Sequence, residues 1–218
     1  MYFASRAQAG RMLATQLLPK YRYEDCAIVA LNDGGVVVAA QIAMQLHCVI
    51  NLLLYEEIKL PMEPQAISGI AHNGAYIYNS YYAPAEAEEL VSEYRGFIEQ
   101  EKTNKMSKMQ HMLGHGGVVR RDLLKGHTII LVSDGLRSPF GLELAAEYLK
   151  PINYEKLVVV TPLASIEAVD RMHVLADDLY CLNVVESTLE TDHYYDQNDV
   201  PDHEKIIEII EKIILNWK

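Results

Sequence analysis

The stretch Thr128 to Gly141, T-I-I-L-V-S-D-G-L-R-S-P-F-G, decides the fold. Thr128 to Val132 is an unbroken apolar or β-branched run, the pattern of a strand buried on both faces, as central parallel strands are. Ser133-Asp134-Gly135 ends it. From Phe140 to Leu149 the spacing turns helical, with Leu142, Ala145, Ala146 and Leu149 on one stripe. A loop rich in Ser, Asp, Gly and Pro thus joins the carboxyl end of a buried strand to a helix amino terminus. Open α/β sheets bind ligands there, because free backbone N–H groups and the helix dipole favour an anion. An ordinary βα turn carries the same residue types, so the loop alone names no ligand.

The unit recurs upstream. Cys26 to Leu31 reads as a buried strand, Asn32-Asp33-Gly34-Gly35 as its turn, and Val36 to Leu46 as a helix. Paired glycines let backbone approach a ligand closely, or serve the turn alone. Before this unit, residues 4–18 predict a helix with Met12, Leu13, Leu17 and Leu18 inward and Pro19 as its end. After it, Val49 to Tyr55 predicts a third buried strand. Ile67 to Tyr78 alternates about His72-Asn73-Gly74, a hairpin signal, and predicts a flap over the ligand edge spanning about 56–82.

Pro84 opens a helical arm reaching about residue 113, with Leu90, Tyr94, Phe97 and Ile98 as its stripe and Met106, Met109 and Met112 expected in the core. His111 and His115 are four apart, but zinc wants more ligands than these two, and no metal site is expected. Lys156 to Pro162 is a strand, Ser165 caps a helix carrying Val169 and Met172, and Leu179 to Val185 is the last strand. Glu186 to Asp199 is an acidic, Tyr-bearing loop. The closing helix places Ile206, Ile207, Ile210, Ile213, Ile214 and Trp217 on one face. Strands alternating with helices over residues 1–218 predict one α/β domain, a doubly wound parallel sheet with a β-hairpin flap.

Composition narrows the function. The 218 residues carry a formal charge of −11, which argues against nucleic acid as the main partner. No apolar run approaches the ~18 residues of a membrane span, and no signal-peptide pattern opens the chain. Cys26, Cys48 and Cys181 lie in apolar settings without zinc spacing, as expected of reduced thiols in a cytoplasmic protein.

The central stretch resembles the type I phosphoribosyltransferases, in which a hydrophobic strand, two acidic residues and a loop ending in Thr-Gly hold the 5′-phosphate of phosphoribosyl pyrophosphate (PRPP). A bacterial branch reads V-D-D-G-I-A-T-G-A-T where this chain reads V-S-D-G-L-R-S-P-F-G. The opening F-A-S-R-A-Q-A-G-R-M-L-A is similar to that branch's F-x-D-R-x-D-A-G-R-x-L-A, with Ser5 and Gln8 at its two Asp positions. Asn32-Asp33-Gly34-Gly35 stands at the pyrophosphate loop, usually P-R-G-G. Pro61, Pro64, Ala66 and Ile67 keep the register of a further segment, in which Glu56 and Glu57 replace Arg and Lys.

The resemblance implies a cleft lined by Asp33, Gly34, Gly35, Ser133, Asp134, Gly135, Arg137, Ser138 and Gly141, with Asp134 catalytic if the protein is active and magnesium needed in that case. It also implies a small molecule of nucleoside or phosphoribosyl type as partner, and a homodimer. The chemistry has changed. One acid is Ser133, Pro139 removes an N–H donor, and Asp33, Glu56 and Glu57 replace cations. At about 1.5–3 kcal/mol per charge-assisted contact, losing three weakens PRPP binding by about 10³- to 10⁶-fold. The expectation is a phosphoribosyltransferase-like binding or regulatory module with a degenerate PRPP loop. The alternatives are an active transferase acting on a nucleobase-like acceptor, with Arg120, Arg121, Arg137 or Lys59 at the pyrophosphate, and a structural subunit of an assembly.

Overall fold

The structure is a computed structural model and describes residues 2–113, 123–186, 190–198 and 200–215. Thr128 to Val132 forms β6, all five residues buried, at the centre of a five-stranded parallel sheet. The sheet runs β2 (Val49–Leu52), β1 (Cys26–Ala30), β6, β7 (Lys156–Ser165), β8 (Asp178–Val185). Counted within this sheet the order is 2-1-3-4-5, the doubly wound order whose switch point lies between the first and third strands.

The switch follows from side-chain alternation. Ile28, Ala30, Ile130, Val132, Val158 and Val160 face α1 (Arg6–Tyr21), α2 (Asp33–Leu46) and α7 (His203–Leu215). Their neighbours Ala27, Val29, Ile129, Leu131, Leu157 and Val159 face α5 (Phe140–Leu149) and α6 (Ile166–Leu175). Successive residues of a strand point to opposite faces, so each strand feeds both layers. The chain leaving β1 turns to one layer and the chain leaving β6 to the other, which opens a crevice between their two loops.

Outside this sheet the expectations needed revision. The third strand ends at Leu52, and Tyr55–Lys59 is instead β3, the first strand of a separate antiparallel sheet with β4 (Ala66–Ala71) and β5 (Tyr76–Tyr78). The flap is therefore three-stranded. Its β4–β5 hairpin turns where predicted: Gly74 has φ +88°, Gly74 N–H donates to Ala71 O at 2.8 Å, and Asn73 Oδ1 accepts from Ala75 N–H. Phe140, at the start of α5, is buried against β4; a Cβ on Gly69 would stand 2.9 Å from its ring.

The arm is two helices, α3 (Pro84–Glu93) and α4 (Arg95–Leu113), broken at Tyr94. Ile98 is buried beside Ile58, Leu60, Ile67 and Tyr82, whereas Phe97 is exposed. Of the three methionines Met109 is buried, while Met106 and Met112 are half-buried. Pro19 sits inside the last turn of α1 rather than ending it, and Arg22 N–H still donates to Leu18 O. Ser165 caps α6 by accepting from Ala168 N–H at 3.1 Å. In α7, Ile206, Ile207, Ile210 and Ile213 are buried; Trp217 and the Ile214 side chain lie outside the described residues. Among the described residues, no helix is long and apolar enough to cross a membrane.

Candidate functional site

Asn32 and Ser133 begin the two loops that diverge at the switch point, and between them opens a cleft of two lobes. The smaller, about 200 Å³, is lined by Ser133, Gly135, Arg137, Ser138 and Gly141, with Glu190 and Thr191 from the acidic loop. The larger, about 600 Å³, lies between Asp33, the β2–β3 connection, Glu56 and Lys59 on one side and Glu101, Lys105, Met109 and Met112 of α4 on the other. Leu31, Asn32, Tyr55 and Glu57 line both.

Asp134 lines neither lobe. It is 3% exposed, its Oδ2 accepts from Arg6 Nε at 2.7 Å, and its Oδ1 accepts from Asn32 Nδ2 at 2.7 Å. Its backbone carbonyl accepts from Tyr195 Oη at 2.6 Å, and the Arg6 guanidinium lies 4.4 Å from the Tyr195 ring centroid. Arg6 also binds Asp192 and reaches Asn198 Oδ1 at 3.3 Å. Burial opposes the charge on Arg6, but Asp134 and Asp192 outweigh it and hold its pKa above the ordinary arginine value. The Arg6 guanidinium thus ties the amino terminus to the second crevice loop and the acidic loop, and the Asp134 carboxylate adds the first crevice loop through Asn32.

The two glycines of the first loop serve this arrangement. A Cβ on Gly34 would stand 2.1 Å from Asp134 Oδ2, and the Gly35 N–H donates at 2.7 Å to Asn32 Oδ1, the cap of α2. Neither glycine lines the cleft. Asp33 does, at the first turn of α2, with His203 Nδ1 3.3 Å from its Oδ1. Ser5 and Gln8 have a structural account as well. Ser5 Oγ caps α1 by accepting from Gln8 N–H at 3.2 Å, and Gln8 Oε1 accepts from Ala4 N–H at 2.7 Å, close to a capping box.

In the second loop, Ser133 Oγ donates to Gly135 O at 3.0 Å and accepts from Gly135 N–H at 3.2 Å, so it shapes the turn it belongs to. Arg137 pairs with Glu190 at 2.9 Å, both side chains well exposed. Pro139 stands at the N-cap position of α5 with no side-chain cap. Ser138 and Gly141 flank that helix start on the wall of the smaller lobe. Phe140 does not line the cleft, because its ring turns into the flap contact. Arg120 and Arg121 lie outside the described residues, as does His115.

Glu56 and Glu57 point to opposite faces of β3, as alternation requires. Glu56 meets the arm: Lys108 Nζ is 2.5 Å and Lys105 Nζ 3.6 Å from its oxygens. Glu57 faces the shared wall beside Tyr55, and has no ion-pair partner among the described residues. The Tyr55 hydroxyl lies over Gly141, where a Cβ would be 2.6 Å from it. Burial, with Glu57 and Asp134 nearby, pushes the Tyr55 phenol above its ordinary pKa and keeps it protonated.

Sequence reasoning missed Arg6, Tyr55 and the lysines of α4 as shapers of this region. Only Arg6 had a signal, its match to the opening pattern. The carboxylate at the end of β6 is not free for the magnesium that the resembled transferases use. That ion takes one or two carboxylates with substrate phosphates, and this one is committed to Arg6 and Asn32. Among the described residues no group of three or more His, Cys, Asp or Glu could hold a metal.

No protein-family profile matches the chain. In sequence it is 24% identical over 181 residues, 83% of its length, to "Putative phosphoribosyl transferase Rv0571c" of Mycobacterium tuberculosis, and spans only 40% of that relative. Among solved structures, TT1426 of Thermus thermophilus superposes with a TM-score of 0.71 at 24% identity, covering 100% of this chain and 99% of that one, a likeness of fold. By its similarity to the curated relatives, on a doubly wound sheet with an antiparallel flap, the chain is phosphoribosyltransferase-like.

Proposed function

We propose that this protein is a phosphoribosyltransferase-like binding or regulatory module whose cleft takes a neutral or cationic ligand of nucleoside type and does not carry out standard PRPP transfer. The observation that carries the reading is the commitment of Asp134: both carboxylate oxygens are bonded to protein donors, one of them inside a buried ion pair. A ribose or a metal would have to open that buried pair to reach the carboxylate, which is 3% exposed and lines neither lobe. The other charges agree. Lys105 and Lys108 are engaged by Glu56, Arg137 by Glu190, and the shared wall carries Glu57. A pyrophosphate entering here meets carboxylates facing it, and among the lining cations Lys105 and Arg137 are already paired, while Lys59 has no ion pair among the described residues. The Tyr55 hydroxyl, by contrast, is suited to an uncharged sugar or base edge.

One feature favours the alternative of an active transferase. Ser138, Arg137 and the amino terminus of α5 together line the smaller lobe, a setting that suits a 5′-phosphate. In that reading magnesium would have to arrive already bound to PRPP. A thermal-shift titration separates the two. Nucleosides at about 100 times Kd add about 2.7 kcal/mol and raise the midpoint by a few degrees, while PRPP with magnesium leaves it unmoved. A dose-dependent PRPP shift overturns the module reading and calls for a screen of nucleobase acceptors.

A further inference from the structure

We propose that a second cavity, between the flap and the helical arm, is a binding site for an aromatic zwitterion of the amino-acid class. The cavity measures about 820 Å³, within the range of small-molecule sites, and shares no lining residue with either lobe of the switch-point cleft. Both arm helices turn one face to it. Ala87, Glu88 and Val91 come from α3, and Arg95, Ile98 and Lys102 from α4, each set at the three- and four-residue spacing of one helical stripe. Tyr78 at the end of β5, and Tyr82 beyond it, close the opposite side.

The floor is apolar, with Ile98, Tyr82 and Ala87 all buried. Tyr82 Oη donates to Gln65 O at 3.0 Å, so that residue offers its ring, and the half-exposed Tyr78 stands at the rim. Two aromatic rings beside an aliphatic floor suit a flat aromatic body. The rim charges define the rest of the ligand. Lys102 is engaged, its Nζ 2.9 Å from Glu99 Oε1 and 3.9 Å from the Tyr76 ring centroid. Arg95 and Glu88 are exposed, and neither forms an ion pair among the described residues. A plain anion would gain Arg95 and meet Glu88, and a plain cation the reverse. A ligand carrying both signs gains a charge-assisted contact from each.

Isothermal titration of the intact chain tests this with L-tryptophan as the probe. Indole-3-propionate lacks the ammonium and tryptamine lacks the carboxylate, and each should bind about tenfold more weakly than tryptophan. Arg95→Gln should weaken tryptophan and indole-3-propionate about tenfold and leave tryptamine unchanged. Glu88→Gln should weaken tryptophan and tryptamine and spare indole-3-propionate. Both substitutions are at exposed positions, so the fold is retained. Excess adenosine, a probe of the switch-point cleft, should leave the tryptophan affinity unchanged. Lack of binding by all three compounds, affinities indifferent to both substitutions, or displacement by adenosine would overturn the site. Equal affinity for tryptophan and either analogue would overturn the zwitterion.

Discussion

Asp134 and Arg6 form an ion pair across 128 residues of chain, with Nε 2.7 Å from Oδ2 and both side chains at 5% exposure or less. Breaking a buried pair by removing one partner leaves an uncompensated charge and costs about 3–5 kcal/mol. Asp134→Ala should therefore lower the urea midpoint sharply, as should Arg6→Met. The double variant Arg6→Met/Asp134→Ala should lose less than the two single losses combined, because no lone buried charge remains and Asp192, Arg6's other partner, is exposed. Urea titrations of the four proteins measure this. A near-native midpoint for Asp134→Ala would return Asp134 to the role of a ligand carboxylate.

Gly141 and Tyr55 offer a second test, one of close contact. A methyl group at Gly141 meets the Tyr55 hydroxyl at 2.6 Å, with the next ring carbon at 3.3 Å. Overpacking of this kind costs about 1–3 kcal/mol. Gly141→Ala should destabilise the wild-type background and much less the Tyr55→Phe background, where the offending oxygen is gone. Equal losses in both backgrounds would mean that the ring does not sit over the start of α5.

Acid stability depends on Asp178. Hydrogen bonds from Lys20 and from the Tyr21 hydroxyl, each 2.5 Å, hold its carboxyl below the ordinary aspartate value. A depressed carboxylate contributes stability above its unfolded pKa of about 3.9, and the contribution is lost as pH falls through the lower folded value. Unfolding free energy should therefore fall between about pH 5 and about pH 2, with a shallower slope in Asp178→Asn than in wild type. Denaturant titrations across that range check the slopes, and parallel curves would leave Asp178 without a part in acid unfolding.

The sequence-based reading succeeded where one physical signal dominated. β6 and α5 were legible because an unbroken apolar run and a helical stripe have few rivals, and the Asn73-Gly74 turn because its glycine adopts positive φ. It failed where one residue serves two masters. Tyr55–Lys59 carries two adjacent carboxylates, yet it pairs with β4 as a strand, with Glu56 meeting the lysines of α4 and Glu57 facing the cleft. At Asp134 the carboxylate was legible and its partner was not, because Arg6 stands far away in sequence, in a helix whose match to a family pattern gave no hint of contact. Gly34 likewise read as a phosphate-loop glycine, whereas its missing side chain makes room for the Arg6–Asp134 pair.

The charge reading of the cleft can be reversed by design. If the exclusion of PRPP rests on carboxylates standing where the resembled family carries cations, then Asp33→Arg with Glu57→Lys should recover anion binding. Both residues line the larger lobe, and neither belongs to the Asp134 network. Each restored charge-assisted contact contributes about 1.5–3 kcal/mol, or about 10- to 150-fold in affinity. Removing the two carboxylates alone, as Asp33→Asn with Glu57→Gln, should recover only the repulsive part. Isothermal titration with pyrophosphate and magnesium should rank the double cation variant above the neutral pair and both above wild type. An unchanged affinity across all three would place the block elsewhere, at the Asp134 carboxylate held by Arg6 and Asn32.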